Sequence, residues 1–140
     1  MKEKQKIILI RGIPGAGKST YAKFLKEKYK KYDFSIFEAD DFFMVGEKYE
    51  YNPSKIKDAH EYCYKRAMDS KGKNIIISNT FTKVWEMKKY LALANEYDAD
   101  CIVFRIMGHH KNVHDVPEEV INRMERNFED FEGEHIITTL

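Results

Sequence analysis

Short apolar runs rich in β-branched residues alternate along this chain with segments in which apolar residues recur every three or four positions. Residues 7–10 read as a buried strand, and Gly17, Lys18, Ser19 and Thr20 open a helix that turns Ala22, Leu25 and Tyr29 inward. Residues 34–37 form a second strand, which runs into Asp40 and Asp41. Asn52 as cap and Pro53 at the first helical position predict a helix with Ile56, Ala59, Cys63 and Ala67 on one face, stopped by Gly72. Residues 75–77 are a third strand, and Thr82 caps a helix with Val84, Met87, Leu91 and Ala94 inward. Residues 101–104 are a fourth strand, and Pro117 starts a last helix through Val120, Ile121, Met124, Phe128 and Phe131. The tail from Ile136 to Leu140 fits a short strand, a docked extension or a frayed end.

Strands separated by helices predict an α/β fold, a parallel sheet with right-handed crossovers and helices on both faces. At 140 residues, with no internal repeat or linker, positions 1–140 are expected to make a single domain. Hydrophobic content of 43% and charged content of 34% place the chain among folded globular proteins. No apolar run reaches the ~18 residues of a membrane span, so a cytoplasmic location without membrane contact is expected. Cys63 and Cys101 stand outside any CxxC or Cys/His ligand spacing, which argues for buried thiols over a disulfide framework or zinc site. A net charge of +1 lacks the footprint of a dedicated nucleic-acid binder. The charge is nonetheless uneven: residues 1–31 carry ten Lys or Arg against two Glu, and residues 115–135 carry eight acids against two Arg. The basic part could track a phosphate backbone, although Lys26, Lys28, Lys30 and Lys31 also suit the negative end of a helix dipole.

The candidate chemistry centres on Gly12, Ile13, Pro14, Gly15, Ala16, Gly17, Lys18 and Ser19. Phosphate binding needs backbone N–H groups converging on oxygens, and glycines let the turn curl without a Cβ in the way. The helix that follows aims its positive end at the anion, Lys18 reaches the β- and γ-phosphates, and Ser19 offers a hydroxyl to Mg²⁺. Thr20 is placed near the α-phosphate. The expected ligand is a nucleoside triphosphate, ATP or GTP, with Mg²⁺.

P-loop ATPases usually end an apolar strand in an Asp that serves the metal. Here the third strand ends in Ser78 and Asn79, and the second is the strand that runs into acids. Asp40 and Asp41 are therefore the expected partners of Ser19 at the metal. Asp40 is also the expected base, an Asp facing the γ-phosphate that orients an acceptor hydroxyl. The plainer alternative is that both acids cap the next turn.

The cradle, the run from Ala39 to Met44, Asn79 with Thr80, and Trp85 to Met87 together resemble the polynucleotide kinase-like P-loop proteins. The likeness is to the Nedd-four-binding-protein-two-like branch and its short phage relatives, from about residue 7 to about residue 126. The resemblance implies an adenylate kinase-like four-stranded sheet in the order 2-3-1-4. It implies ATP-dependent phosphorylation, in the founding members of a nucleic-acid 5′-hydroxyl. Lys18, Ser19 and Asp40 match the family's phosphate, metal and base positions. Phe42, Phe43, Asn79 and Thr80 fall on the acceptor side. Phe43 stands where phage polynucleotide 5′-kinases carry an Arg, and Asn79 where they carry an Asp. A lid arginine is implied too, and the lid region shrinks here to Gly108, His109, His110, Lys111 and Asn112. Lys111, Arg123 and Arg126 are the candidates for its cation, with Arg105 at the strand end a further option.

Around Gly46, Phe42, Phe43, Tyr49 and Tyr51 either stack an unpaired base or nucleoside ring or plug a small hydrophobic hairpin. His109, His110, His114 and Asp115 lack a paired ligand motif and read as a solvent-facing loop, and Trp85 reads as core or subunit contact. The function expected from all this is an ATP- and Mg²⁺-dependent phosphotransferase acting on a hydroxyl of a nucleic-acid end or nucleoside-like compound. A nucleotide-regulated binding module and a small-metabolite kinase are the alternatives.

Overall fold

Alternation along the central strand sets the layering. In β1 (Lys6–Arg11), Ile7 and Leu9 face one hydrophobic cluster while Ile8 and Ile10 face another, so both sides of the sheet need a cover. The computed structural model describes residues 3–108 and 116–138. After β1 come α1 (Lys18–Lys28), β2 (Ser35–Phe37), a hairpin of β3 (Met44–Val45) and β4 (Lys48–Tyr49), and α2 (Ile56–Met68). They are followed by β5 (Ile75–Ser78), α3 (Lys88–Glu96), β6 (Asp100–Ile106), α4 (Glu118–Arg126) and β7 (His135–Ile137). α1 supplies Ala22 and Leu25 to one cluster, whereas α2 and α3 supply Ala59, Cys63, Ala67, Tyr90, Leu93 and Ala94 to the other.

The main sheet runs β2-β5-β1-β6-β7, every neighbouring pair parallel. Its first four members reproduce the expected order 2-3-1-4, and β7 adds a fifth strand on the β6 edge. Register places Ile7 between Ile75 and Cys101, and Leu9 between Ile77 and Val103. β7 is three residues long, with Ile136 54% exposed, and realises the short strand, one of the three readings of the tail. Its pairing with Phe104 to Ile106 and the bond from Met107 N–H to the Ile137 carbonyl (2.8 Å) hold it in place.

Four helix boundaries differ from expectation, one being the end of α2 at Met68, ahead of Gly72, which lies in the turn that follows. Asn52 accepts from Ser54 N–H, capping a 3₁₀ turn over Pro53–Lys55 from which α2 continues. Thr82 does not cap α3: the Glu86 carboxylate binds Lys83 N–H at 2.8 Å, producing a 3₁₀ turn over Val84–Met87 first. α4 stops at Arg126, since Phe128 turns in to lie against the guanidinium groups of Arg11 and Arg105. Tyr29, Ile56 and Trp85 are 41%, 40% and 68% exposed, so none of them is core. Lys111, the histidines 109, 110 and 114 with Asp115, and the last two residues of the tail fall outside the described residues. Among the described residues no helix is long and apolar enough to cross a membrane.

Candidate active site

β1 delivers the chain into the phosphate loop, and sterics select its first glycine. A Cβ on Gly12 would stand 2.7 Å from the Ile106 carbonyl oxygen, a backbone atom that cannot step aside. The Gly12 N–H bonds the Thr80 carbonyl at 3.1 Å, tying the loop's root to the segment after β5. Gly15 (φ 82°) and Gly17 (φ 104°) take left-handed conformations that side chains resist. Gly17 is also the N-cap of α1, whose first turn carries no acid to compete with an anion. Buried Ala16 closes the turn through its N–H to Ile13 O at 3.1 Å. Lys18 Nζ donates to Gly12 O (2.8 Å) and Ile13 O (3.0 Å). Burial lowers the Lys18 pKa to about 8, against the opposing pull of the Glu38 and Asp40 charges. Ser19 and Thr20 open to solvent at the start of the helix.

The second half of the site is the turn after β2. Glu38 is the N-cap of a 3₁₀ turn over Ala39–Phe43. Its N–H bonds Asp41 Oδ2 at 3.0 Å, and its side chain reaches across to Ser19, whose hydroxyl donates to Glu38 Oε1 at 2.7 Å. Asp41 Oδ2 also accepts from Arg66 Nη1 at 2.8 Å, and the Arg66 guanidinium lies over the Phe37 ring at 4.2 Å. Asp40 Oδ1 accepts from the Tyr49 hydroxyl at 3.2 Å. Burial and the Asp40 charge both push the Tyr49 pKa up, so the phenol stays a donor.

β5 braces this turn from beneath. Asn79, 7% exposed, accepts the Ala39 N–H on Oδ1 at 2.8 Å and points its amide at the Cys63 thiol on α2, 3.7 Å away. Phe43 is buried, with its ring against Phe42, Tyr49 and Tyr51. Of the four acceptor-side positions, Phe42 is half-buried against Tyr62, Phe43 and Asn79 are buried supports, and Thr80 acts through its carbonyl on the loop root. The four aromatic residues around Gly46 do pack as a hairpin plug, although Tyr51 remains 51% exposed. Arg123 and Arg126 lie exposed on the last turn of α4. Arg105 pairs with Asp130 and Glu134 and stacks on Phe128.

Two residues escape a reading of the sequence. Glu38 is the first acid after the second strand, which is a signal, but the adjacent Asp40 and Asp41 draw attention away from it. Arg11 gives no local signal at all, since its carboxylate partner Glu134 is 123 residues distant. The oxygen donors Ser19 and Glu38 are the hard kind that Mg²⁺ takes alongside phosphates and water.

Comparison with known proteins places this geometry. A family model described as an AAA domain matches residues 7–131. The human NEDD4-binding protein 2 is 32% identical over 144 residues, a match that covers 94% of this chain and 8% of that protein. Among solved structures, a chain of the Pnkp1/Rnl/Hen1 complex superimposes with a TM-score of 0.67 at 19% identity, covering all of this chain and 47% of its own. A gluconokinase from Sinorhizobium meliloti 1021 gives 0.65 at 13% identity, over 98% of this chain and 84% of its own. Chaetomium thermophilum Kti12 in complex with ADP-AlF3 gives 0.68 at 12% identity, over 95% and 88%. These structures share the fold: a parallel sheet flanked by helices, as in P-loop kinases. With its glycine cradle at the end of β1 and a family match spanning most of its length, the chain belongs to the AAA-domain family of P-loop proteins.

Proposed function

We propose that the protein is an ATP- and Mg²⁺-dependent phosphotransferase that moves the γ-phosphate onto a hydroxyl of a nucleic-acid end or nucleoside-like compound. The observation that carries this reading is the placement of the acid-bearing turn against the cradle. Glu38 bonds Ser19, and the charges of Glu38 and Asp40 both act on Lys18. The Asp40 charge reaches Lys18, which supports its reading as the acceptor-orienting carboxylate.

In this mechanism the loop N–H groups and Lys18 hold the β- and γ-phosphates. Ser19 takes part in holding Mg²⁺, which when bound with the nucleotide neutralises charge on the phosphates. Asp40 accepts a hydrogen bond from the acceptor hydroxyl and receives its proton late. The new bond joins the acceptor oxygen to phosphorus, the bond to the β-phosphate oxygen breaks, and ADP leaves. Arg123 and Arg126 are the proposed cations for the charge on the transferring group. Asp41, already holding Arg66 and the Glu38 N–H, serves the shape of the turn.

The test offers γ-labelled ATP with 5′-hydroxyl DNA, 5′-hydroxyl RNA, nucleosides and water, beside Lys18→Ala and Asp40→Ala. Label on a hydroxyl acceptor, reduced at least 10²-fold by either substitution, is the expected result. Tight ATP binding with no acceptor labelled would favour a nucleotide-regulated binding module. Transfer unchanged in Asp40→Ala would remove that residue from the role of base.

A further inference from the structure

The geometry points to Glu38, in place of Asp40 or Asp41, as the carboxylate that positions Ser19 for the magnesium of the bound nucleotide. The inference rests on the nucleotide and Mg²⁺ of the proposed reaction and assigns a residue to the cation within it.

The hydrogen bond itself carries the argument. Ser19 Oγ donates its one proton to Glu38 Oε1 at 2.7 Å, which fixes the hydroxyl's rotation. With that proton directed at the carboxylate, the oxygen lone pairs face away from Glu38. The hydroxyl lies one residue past Lys18, at the solvent-facing start of α1, where the phosphates and their counter-ion are expected. A carboxylate accepting from a ligating group orients that group, raises its basicity and adds negative charge next to the cation.

The other acids are committed elsewhere. Asp41 Oδ2 receives both the Glu38 N–H and Arg66 Nη1, and so shapes the turn. Asp40 accepts the Tyr49 hydroxyl on Oδ1, and its charge reaches Lys18, while the bond from Ser19 goes to Glu38. Asn79, at the end of β5, is uncharged and buried under Ala39. Three neighbouring acids thus divide three tasks: Glu38 serves the metal-bearing hydroxyl, Asp40 the acceptor and Asp41 the fold of the turn.

Mn²⁺ provides the probe. Its binding to the complex of the protein with β,γ-imido ATP is followed by loss of the free-ion electron paramagnetic resonance signal, while binding of the same nucleotide in excess chelator is measured by calorimetry. In Glu38→Gln, Mn²⁺ binding is expected to weaken 10- to 100-fold. Metal-free nucleotide should bind equally or more tightly, because a negative charge beside the phosphates has been removed. Asp40→Asn should weaken Mn²⁺ binding less than Glu38→Gln does, through the loss of a nearby charge alone. Wild-type Mn²⁺ affinity in Glu38→Gln, a parallel fall of both affinities, or a larger loss in Asp40→Asn overturns the assignment. Wild-type protein that binds nucleotide neither with nor without metal refutes the phosphate cradle itself, a different failure from one confined to Glu38. Failure to label any acceptor in the transfer assay bears on neither measurement.

Discussion

Lys18 lies at the meeting point of burial and charge, and its protonation sets how well the cradle attracts an anion. Burial holds its pKa at about 8, down from 10.5, despite the nearby charges of Glu38 and Asp40. Below that value the free protein presents an ammonium to the phosphates; above it a growing fraction presents a neutral amine. Affinity for ADP should therefore fall by up to tenfold per unit once the pH rises past about 8, above the range of about pH 6 to 7 in which the terminal phosphate of ADP itself ionises. A Lys18→Arg variant keeps its charge throughout and should bind more weakly but without that pH dependence. Calorimetric titration of ADP from pH 6.5 to 9.5 checks both, and an identical decline in the Arg variant would place the titration elsewhere. The identity of Lys18 was legible from spacing alone, because a strand, a glycine-rich turn and a helix start need few residues to specify. Its lowered pKa was not, since that depends on how deeply the folded loop buries the amine, an effect only partly offset by acids that follow β2, some twenty positions along the chain.

The turn that carries the acids is held by two elements, and magnitudes separate their contributions. Asn79, at the end of β5, satisfies a buried backbone N–H, and losing such a partner typically costs about 1–3 kcal/mol. The Arg66–Asp41 pair from α2 is 30% and 37% exposed, and pairs that solvent reaches contribute about 0–1 kcal/mol. In urea unfolding, Asn79→Ala should thus lower stability by about 1–3 kcal/mol and Arg66→Ala by clearly less. The reverse order would mean that the ion pair, and not the amide bracket, sets the turn. Elements with continuous apolar runs, β1, β5 and β6, could be read from the sequence because a strand buried on both faces has no polar positions to confuse the pattern. Elements decided by a single contact could not. α3 begins late because Glu86 takes the Lys83 N–H, and α4 ends early because Phe128 turns between two arginines. β3 and β4, two residues each, follow from the packing of Tyr49 and Tyr51 on Phe43.

At the scale of the whole molecule, the cradle depends on a contact between the two ends of the chain. Arg11 is fully buried at the end of the central strand, one residue before Gly12. Its guanidinium donates to Glu134 Oε1 (2.9 Å) and, through Nε (3.1 Å) and Nη2 (2.6 Å), to the Phe81 carbonyl. Phe81 follows Thr80, whose carbonyl holds the Gly12 N–H, so a single side chain joins the last strand to the root of the phosphate loop. Burial lowers the Arg11 pKa, and the Glu134 bond and charge oppose that shift, which marks the pair as mutually dependent. Glu134, with a side chain only 5% exposed, also accepts the Phe131 N–H on its other oxygen. Removing one member of a buried pair leaves the other charge uncompensated, at about 3–5 kcal/mol, whereas replacing both with apolar groups is far milder. Glu134→Ala should therefore destabilise the fold by about 3–5 kcal/mol, and Arg11→Met combined with Glu134→Leu by less than the sum of the two single changes. Because Arg11 also grips the Phe81 carbonyl, the double variant should still lose ADP affinity even where it regains stability. Equal recovery of stability and binding would show instead that the chain's far end steadies the sheet without steadying the loop.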